Sequence, residues 1–335
     1  MKNERVVIIG AGIIGCLSAV EAKKKGFDVV VIDQSKIGSG SSWAAGGILF
    51  PLMPWEYPEK IYELCKPANK YYNILSKKLL QETGIDSEFH KSGINIVNPT
   101  NTKEISTWCE QNNIEIQHRT INRIPSLYLK NIFQIRPPYL MKALAEYMNI
   151  NNINFIKNKK IVNFKIQKYE IQGCISSEGE TFQGEKFIIT AGAWTYNILN
   201  DYKEKVFPVR GQMIQYPNTS PKIKNIIYKD GFYLIPRKDG VLIAGSTLEK
   251  VGFNSDENKG NIAQLKKKAE SIIPELKNIE IENSWHGFRP GTSDNLPIIE
   301  KEKKYKNLYL NIGHHRYGIT MAPYSAQCIA NLISS

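Results

Sequence analysis

The sequence predicts an α/β protein in which a parallel sheet, opened by a βαβ unit, is joined to an α+β part built on an antiparallel sheet. Three observations predict it. The chain begins with two β-branched apolar runs, residues 6–9 and 29–32, separated by a glycine-punctuated helix pattern. Its middle, residues 206–252, alternates apolar and polar residues between glycine-containing turns. Its last stretch returns to a buried strand, LYLNI at 308–312, and then to a helix from Gly318 onward.

Taken in order, VVII at 6–9 suits a strand buried on both faces. Gly10, Gly12 and Gly15 follow as G-x-G-x-x-G. In that spacing the first glycine allows the tight turn, the second lets a pyrophosphate approach the backbone, and the third lets the helix pack on the strand. Gly26 ends the helix. The second strand, VVVI, closes with Asp33, about 20 residues past the glycines, where a carboxylate can accept both hydroxyls of an adenosine ribose. Together these features point to a bound adenine dinucleotide; the bland alternative is a glycine-rich βα turn without a ligand. NAD and FAD both present a ribose there. The next stretch, SKIGSGSSWAAGGILFPLMPWEYP at 35–58, favours FAD, because its small residues let a planar group or a pyrophosphate lie against backbone. Trp43 and the apolar residues at 48–50 make it a packed segment rather than a flexible loop.

Three- and four-residue apolar spacing predicts one helix over 58–83. Residues 88–97 read as strand and turn, 102–112 as a short helix, and 119–133 as irregular. Pro138 suits the first turn of a helix through Met148. Residues 153–155 and 159–164 read as strands, and 168–184 as strand and turn. The strand KFIIT at 186–190 runs into Ala191, Gly192, Ala193 and Trp194, either a second contact for the cofactor or an ordinary βα turn. Segments 208–216, 231–240 and 241–247 supply the antiparallel sheet, and 262–273 an amphipathic helix ended by Pro274. Residues 285–299, WHGFRPGTSDNLPII, read as the return to the first part. Gly318 and Thr320 open the last helix, whose N-terminal amides can meet an anionic or electron-rich edge.

Hydrophobic content of 42% and charged content of 23% in 335 residues are ordinary for a folded protein. The net charge of +12 comes from scattered lysines with no aromatic-interleaved basic stripe, which argues against nucleic acid as a main partner. Five widely spaced cysteines without a C-x-x-C argue for a reducing compartment and against a disulfide framework or a zinc site. His314 and His315 would point to opposite faces of an extended segment, so no metal is expected. The first apolar run is broken by glycines and followed by Glu21, unlike a signal peptide. No run approaches the ~18–20 apolar residues of a membrane span. The expectation is a soluble, cytoplasmic chain; a homo-oligomer is compatible with it.

The segments GAGIIG with Asp33, SSWAAGGILFPLMPWEYP, IITAGAW, PVRGQM, YLIPRKDG, GSTLE, GFRPGTSDNLPII and GHHRYGITMAP occur in this order over nearly the whole chain. The ordered set resembles the D-amino-acid oxidase family of flavoproteins, within it most the bacterial glycine oxidases of the thiamine-biosynthesis type. The resemblance implies a discontinuous FAD/NAD(P)-binding Rossmann-like domain of the glutathione-reductase type over 1–83, 141–206 and 285–335. It implies a substrate domain over 84–140 and 207–284 whose sheet roofs the flavin. FAD contacts are implied at Gly10, Ala11, Gly12, Ile13, Ile14, Gly15, Asp33, Gln34, Ser41, Ser42, Ala45, Gly46 and Gly47, and at Ile161 beside the adenine. More are implied at Ala191, Gly192, Trp194, Arg289, Arg316, Tyr317, Gly318, Ile319 and Thr320. Arg316 matches the arginine that clamps a substrate carboxylate, a task that suits a planar guanidinium; by itself it could equally be a structural ion pair. Tyr233, Leu248 and Arg289 complete the implied substrate pocket, although Tyr233 alone would equally suit a core aromatic. Covalently flavinylated relatives carry a cysteine before GFRPGT; His286 and Gly287 stand there here, which implies non-covalent FAD.

The implied reaction is oxidative deamination of glycine, sarcosine, D-alanine or D-proline. Hydride passes to flavin N5, giving an imino acid, then an oxo acid, ammonia and hydrogen peroxide. It needs no catalytic acid or base from the protein. Three rivals stay open: a D-amino-acid dehydrogenase with a quinone acceptor, an oxidase of a modified tRNA base, and a flavoprotein without turnover.

Overall fold

The computed structural model describes residues 4–219 and 221–335. Arg5–Ile9 lies inside a six-stranded sheet, with Asp28–Ile32 parallel on one side (Val6 opposite Val29, Ile8 opposite Val31) and Lys186–Ile189 parallel on the other. Asn154–Ile156 extends one edge in parallel; Leu308–Ile312 extends the other, and Ile298–Lys301 closes it antiparallel. The helices Ile13–Lys24, Ala68–Thr83, Pro137–Ile150 and Gly318–Ser334 cover one face. A three-stranded antiparallel sheet, Ile161–Gln167, Glu170–Ser176 and Thr181–Gln183, covers the other. Cover on both faces is why the inner runs VVII at 6–9, VVVI at 29–32 and FII at 187–189 read as unbroken apolar stretches.

The last helix contains Pro323, which has no N–H to give the Ile319 carbonyl one turn back. The fully buried Tyr72 donates its hydroxyl to that carbonyl at 2.7 Å, so no buried acceptor is stranded.

The second sheet has eight strands. Their order is Asn283–Gly291, Phe207–Tyr216, Leu242–Gly245, Phe232–Pro236, Ile226–Lys229, Ile94–Val97, Ile124–Leu129 and Ile116–Ile121. Every pairing is antiparallel except Ile226–Lys229 with Ile94–Val97. The helix Lys259–Ile272 packs on one face of this sheet.

Three expectations are corrected. Residues 119–133 are not irregular: Ile116–Ile121 and Ile124–Leu129 form a hairpin whose turn residues, Asn122 and Arg123, have φ of 46° and 66°. Those are the left-handed angles a two-residue hairpin turn requires. The single helix over 58–83 is two, Glu59–Cys65 and Ala68–Thr83, because Pro67 cannot continue the backbone ladder. The segment after Trp285 does not return directly to the first sheet. Asn283–Gly291 pairs along its length with Phe207–Tyr216, placing Gly287 opposite Gly211, and the chain rejoins the first sheet at Ile298–Lys301.

Candidate active site

Gly10, Asp33, Thr190 and Gly313 each follow a parallel strand, so the carboxyl ends of four strands converge on one cavity of about 350 Å³. This is where open α/β sheets bind ligands. Gly10 has φ +113°, and a Cβ there would fall 2.5 Å from the Thr190 carbonyl oxygen. A Cβ on Gly15 would fall 1.9 Å from the Gly10 carbonyl oxygen, so helix and strand approach as only glycine permits. The Ser42 hydroxyl accepts from the Ile13 amide at 2.9 Å and fixes the small-residue loop at the helix N-terminus. Asp33 accepts from the amides of Ala11 at 2.6 Å and Ser35 at 2.8 Å. Burial raises its carboxyl pKa, and those two amides work against the rise.

The other end of the cavity holds two arginines. Arg289 donates to the Ser246 hydroxyl at 2.6 Å and the Thr247 carbonyl at 3.2 Å. Gly211, in the neighbouring strand, leaves room for it: a Cβ there would fall 2.0 Å from its Nη1. Burial lowers the Arg289 pKa, and the neighbouring Arg316 lowers it further. Burial also acts to lower that of Arg316, but the phenols of Tyr317, Tyr57, Tyr233 and Tyr228 outweigh it and the net shift is upward. Among the described residues no carboxylate lies within salt-bridge distance of either guanidinium. The Arg316 side chain likewise makes no hydrogen bond to them. Two adjacent cations with no carboxylate in salt-bridge distance are chemically suited to an anion.

His314 and His315 line this cavity together, because the chain turns into a short 3-10 helix there instead of running extended. His315 has φ +44°, and its Nδ1 lies 2.8 Å from Asn295 Oδ1. Burial pushes the His314 pKa down to about 3; burial, then Arg289 and Arg316, pushes that of His315 down to about 4. The Nε2 atoms of both are buried without a hydrogen-bond partner among the described residues. The glycine cradle, the doubly anchored Asp33 and these orphaned nitrogens fit a dinucleotide with a polar ring system at the arginine end.

Gly10, Ala11, Gly12, Ile13, Ile14, Asp33, Gln34, Ser41, Ser42, Ala45, Gly46, Ile161, Ala191, Gly192, Trp194, Tyr233, Arg289, Arg316, Gly318 and Ile319 all line the cavity. Five expected residues lie outside its lining. Gly15 serves helix–strand packing. Gly47 approaches the backbone of Ile135, whose carbonyl oxygen would lie 2.1 Å from a Cβ on it. Tyr317 is a buried residue that donates to the Leu52 carbonyl at 3.1 Å and meets Tyr57 edge-on. Thr320 donates to the Ile48 carbonyl at 3.2 Å. Leu248 is 54% exposed and lines a second cavity instead. Sequence reasoning missed Gly211 and Met213 on the wall; they alternate along Phe207–Tyr216, so the period of two could have found them. It also missed Tyr57 and Tyr228, which no local pattern links to Arg316.

Fold and glycine cradle are those of a dinucleotide-dependent oxidoreductase. The family profile described as FAD dependent oxidoreductase (DAO) matches residues 5–332, and the chain belongs to that family. It is an enzyme, an FAD-dependent amino-acid oxidase in class, and FAD is its cofactor. Glycine oxidase from Pseudomonas aeruginosa is 31% identical over 99% of this chain and 95% of that protein. The bifunctional protein ThiO/ThiG of a Synechocystis species is 29% identical over 98% of this chain but only 51% of its own length. A glycine oxidase structure from Bacillus cereus matches with a TM-score of 0.90 and 26% identity, covering 99% of this chain and 95% of that one.

Proposed function

We propose that the enzyme oxidises glycine or a comparably small amine or D-amino acid (sarcosine, D-alanine, D-proline), giving an imino acid that hydrolyses to the oxo acid and ammonia. The observation that carries this reading is the pair of guanidiniums, Arg289 and Arg316, with no carboxylate of the protein between them. A substrate carboxylate seated there receives charge-assisted bonds and is fixed in orientation. Bound FAD would take up the α-hydrogen with its electron pair and pass the electrons to oxygen as hydrogen peroxide. Gly10, Gly12 and Asp33 would hold the dinucleotide, and Gly46, His314 and Gly318 would border its ring end. Tyr233, with its hydroxyl 3.8 Å from the Met213 sulfur, closes the substrate side and favours small side chains.

The amine must be neutral to react. Burial and two nearby cations disfavour an ammonium ion, as they disfavour the imidazolium of His315. No side chain is assigned as a general base. Residues 1–83, 141–206 and 285–335 are assigned to FAD and 84–140 and 207–284 to substrate, with Asn283–Gly291 moved to the substrate sheet.

Mixing the yellow protein anaerobically with glycine, sarcosine, D-alanine and D-proline tests this reading. Bleaching by at least one, with peroxide on admitting air, is the expected result; no bleaching by any overturns it. Bleaching without peroxide would favour a quinone-linked dehydrogenase. We place the reaction in thiamine biosynthesis on the likeness to the ThiO/ThiG protein; a deletion strain that grows without added thiamine would remove that assignment.

A further inference from the structure

Arg289 and Arg316 line a second cavity, of about 320 Å³, as well as the first. Its walls are residues 246–249, the turn at Asp230 and Gly231, and one face of the helix Lys259–Ile272. That helix contributes Asn261, Gln264, Leu265 and Lys268, whose spacing of three and four places them on a single face. Asp230, Gln264 and Lys268 are exposed, so the cavity opens to water on this side. The first cavity runs from Asp33 at one end to Gly318 at the other, and a bound FAD would lie along it.

We propose that the second cavity is the vestibule through which small carboxylates travel from solvent to the two arginines. The proposal rests on the amino-acid oxidase reading and deepens it. Charge supports it. The cationic groups on the walls are Lys268 at the mouth and Arg289 and Arg316 at the floor. Of the two acids, Glu249 is held by Arg210 at 2.6 Å and by the Thr247 hydroxyl at 2.6 Å, which leaves Asp230 at the rim. A cleft whose positive charges run from mouth to floor concentrates anions and raises their on-rate. Leu248 and Leu265 are the leucines on the walls, and most of the remaining lining is polar or charged, which suits a hydrated ion in transit.

Stopped-flow binding of glycolate to the FAD-loaded enzyme, read by the change in flavin absorbance, tests the route. Lys268→Glu lowers the on-rate at least about threefold at low ionic strength, and the deficit disappears at high salt. Gln264→Trp, on the exposed face of the helix, lowers the on-rate at every ionic strength. FAD content and the rate of flavin reduction at saturating glycine stay as in the unaltered enzyme in both. Unchanged on-rates in both variants overturn the vestibule and leave the oxidase reading standing. Failure of the unaltered enzyme to respond to glycolate, together with failure of all four amines to bleach it, overturns both.

Discussion

At the dinucleotide end of the long cavity, polar groups are already spoken for by backbone. Asp33 accepts from Ala11 and Ser35, Ser42 accepts from Ile13, and the Thr190 hydroxyl donates to the Gly10 carbonyl at 2.7 Å. At the arginine end Arg289 is held by Ser246 and Thr247, but the Arg316 side chain and the Nε2 atoms of His314 and His315 lack hydrogen-bond partners among the described residues. The anchoring end is built by chain geometry and is complete without a ligand. The arginine end keeps an unpaired guanidinium and two buried imidazole nitrogens without partners, a cost to the fold that water or a bound molecule relieves.

This contrast can be broken at either end. The largest effect is expected from Gly15→Val, which drives a side chain into the Gly10 carbonyl; it should abolish FAD retention, measured by the flavin absorbance of purified protein. A yellow, stable variant would show that the cradle is not set by backbone contact. Arg316→Ala should raise KM for glycine roughly 10- to 100-fold, the loss expected for hydrogen bonds to a charged group, with FAD content unchanged. Equal loss of FAD and substrate affinity would make it a structural residue.

The histidines sharpen the comparison through pH. Both are neutral in the fold, with pKa values near 3 and 4, whereas the unfolded chain takes up protons near 6.5. Between pH 6.5 and about 4 the unfolded state therefore binds more protons, and stability falls as pH falls. The slope is at most roughly 1.4 kcal/mol per pH unit for each histidine. Thermal melts of the FAD-free protein should show it, and His314→Gln should flatten it. The smallest effect belongs to Tyr72→Phe, which strands the Ile319 carbonyl. It should cost about 1–3 kcal/mol in denaturant unfolding and leave KM unchanged.

The anchoring end was largely legible in the sequence because its logic is local. Gly10, Gly12, Gly15 and Asp33 lie within one βαβ unit, and each residue type is dictated by a backbone contact nearby. The arginine end was legible only in part. Arg316 and Arg289 stand out by resemblance, but the tyrosines around Arg316 come from positions 57, 228, 233 and 317. Only the folded sheet brings those together. The hairpin at Asn122 and Arg123 was missed because its turn uses no glycine, although asparagine tolerates positive φ. The break before Ala68 was missed because helical periodicity continues across Pro67 and hides it. Leu248 lines the second cavity, which shares Arg289 and Arg316 with the first, and nothing in GSTLE tells the two walls apart.

The strand order also has a consequence for the newborn chain. Lys186–Ile189 pairs on one side with Arg5–Ile9, made early, and on the other with Leu308–Ile312, made more than a hundred residues later. While a ribosome is still producing the intervening segment, Phe187, Ile188 and Ile189 form a bare, apolar sheet border, the kind that recruits strands from other molecules. Chains that stall in this window are the ones expected to aggregate.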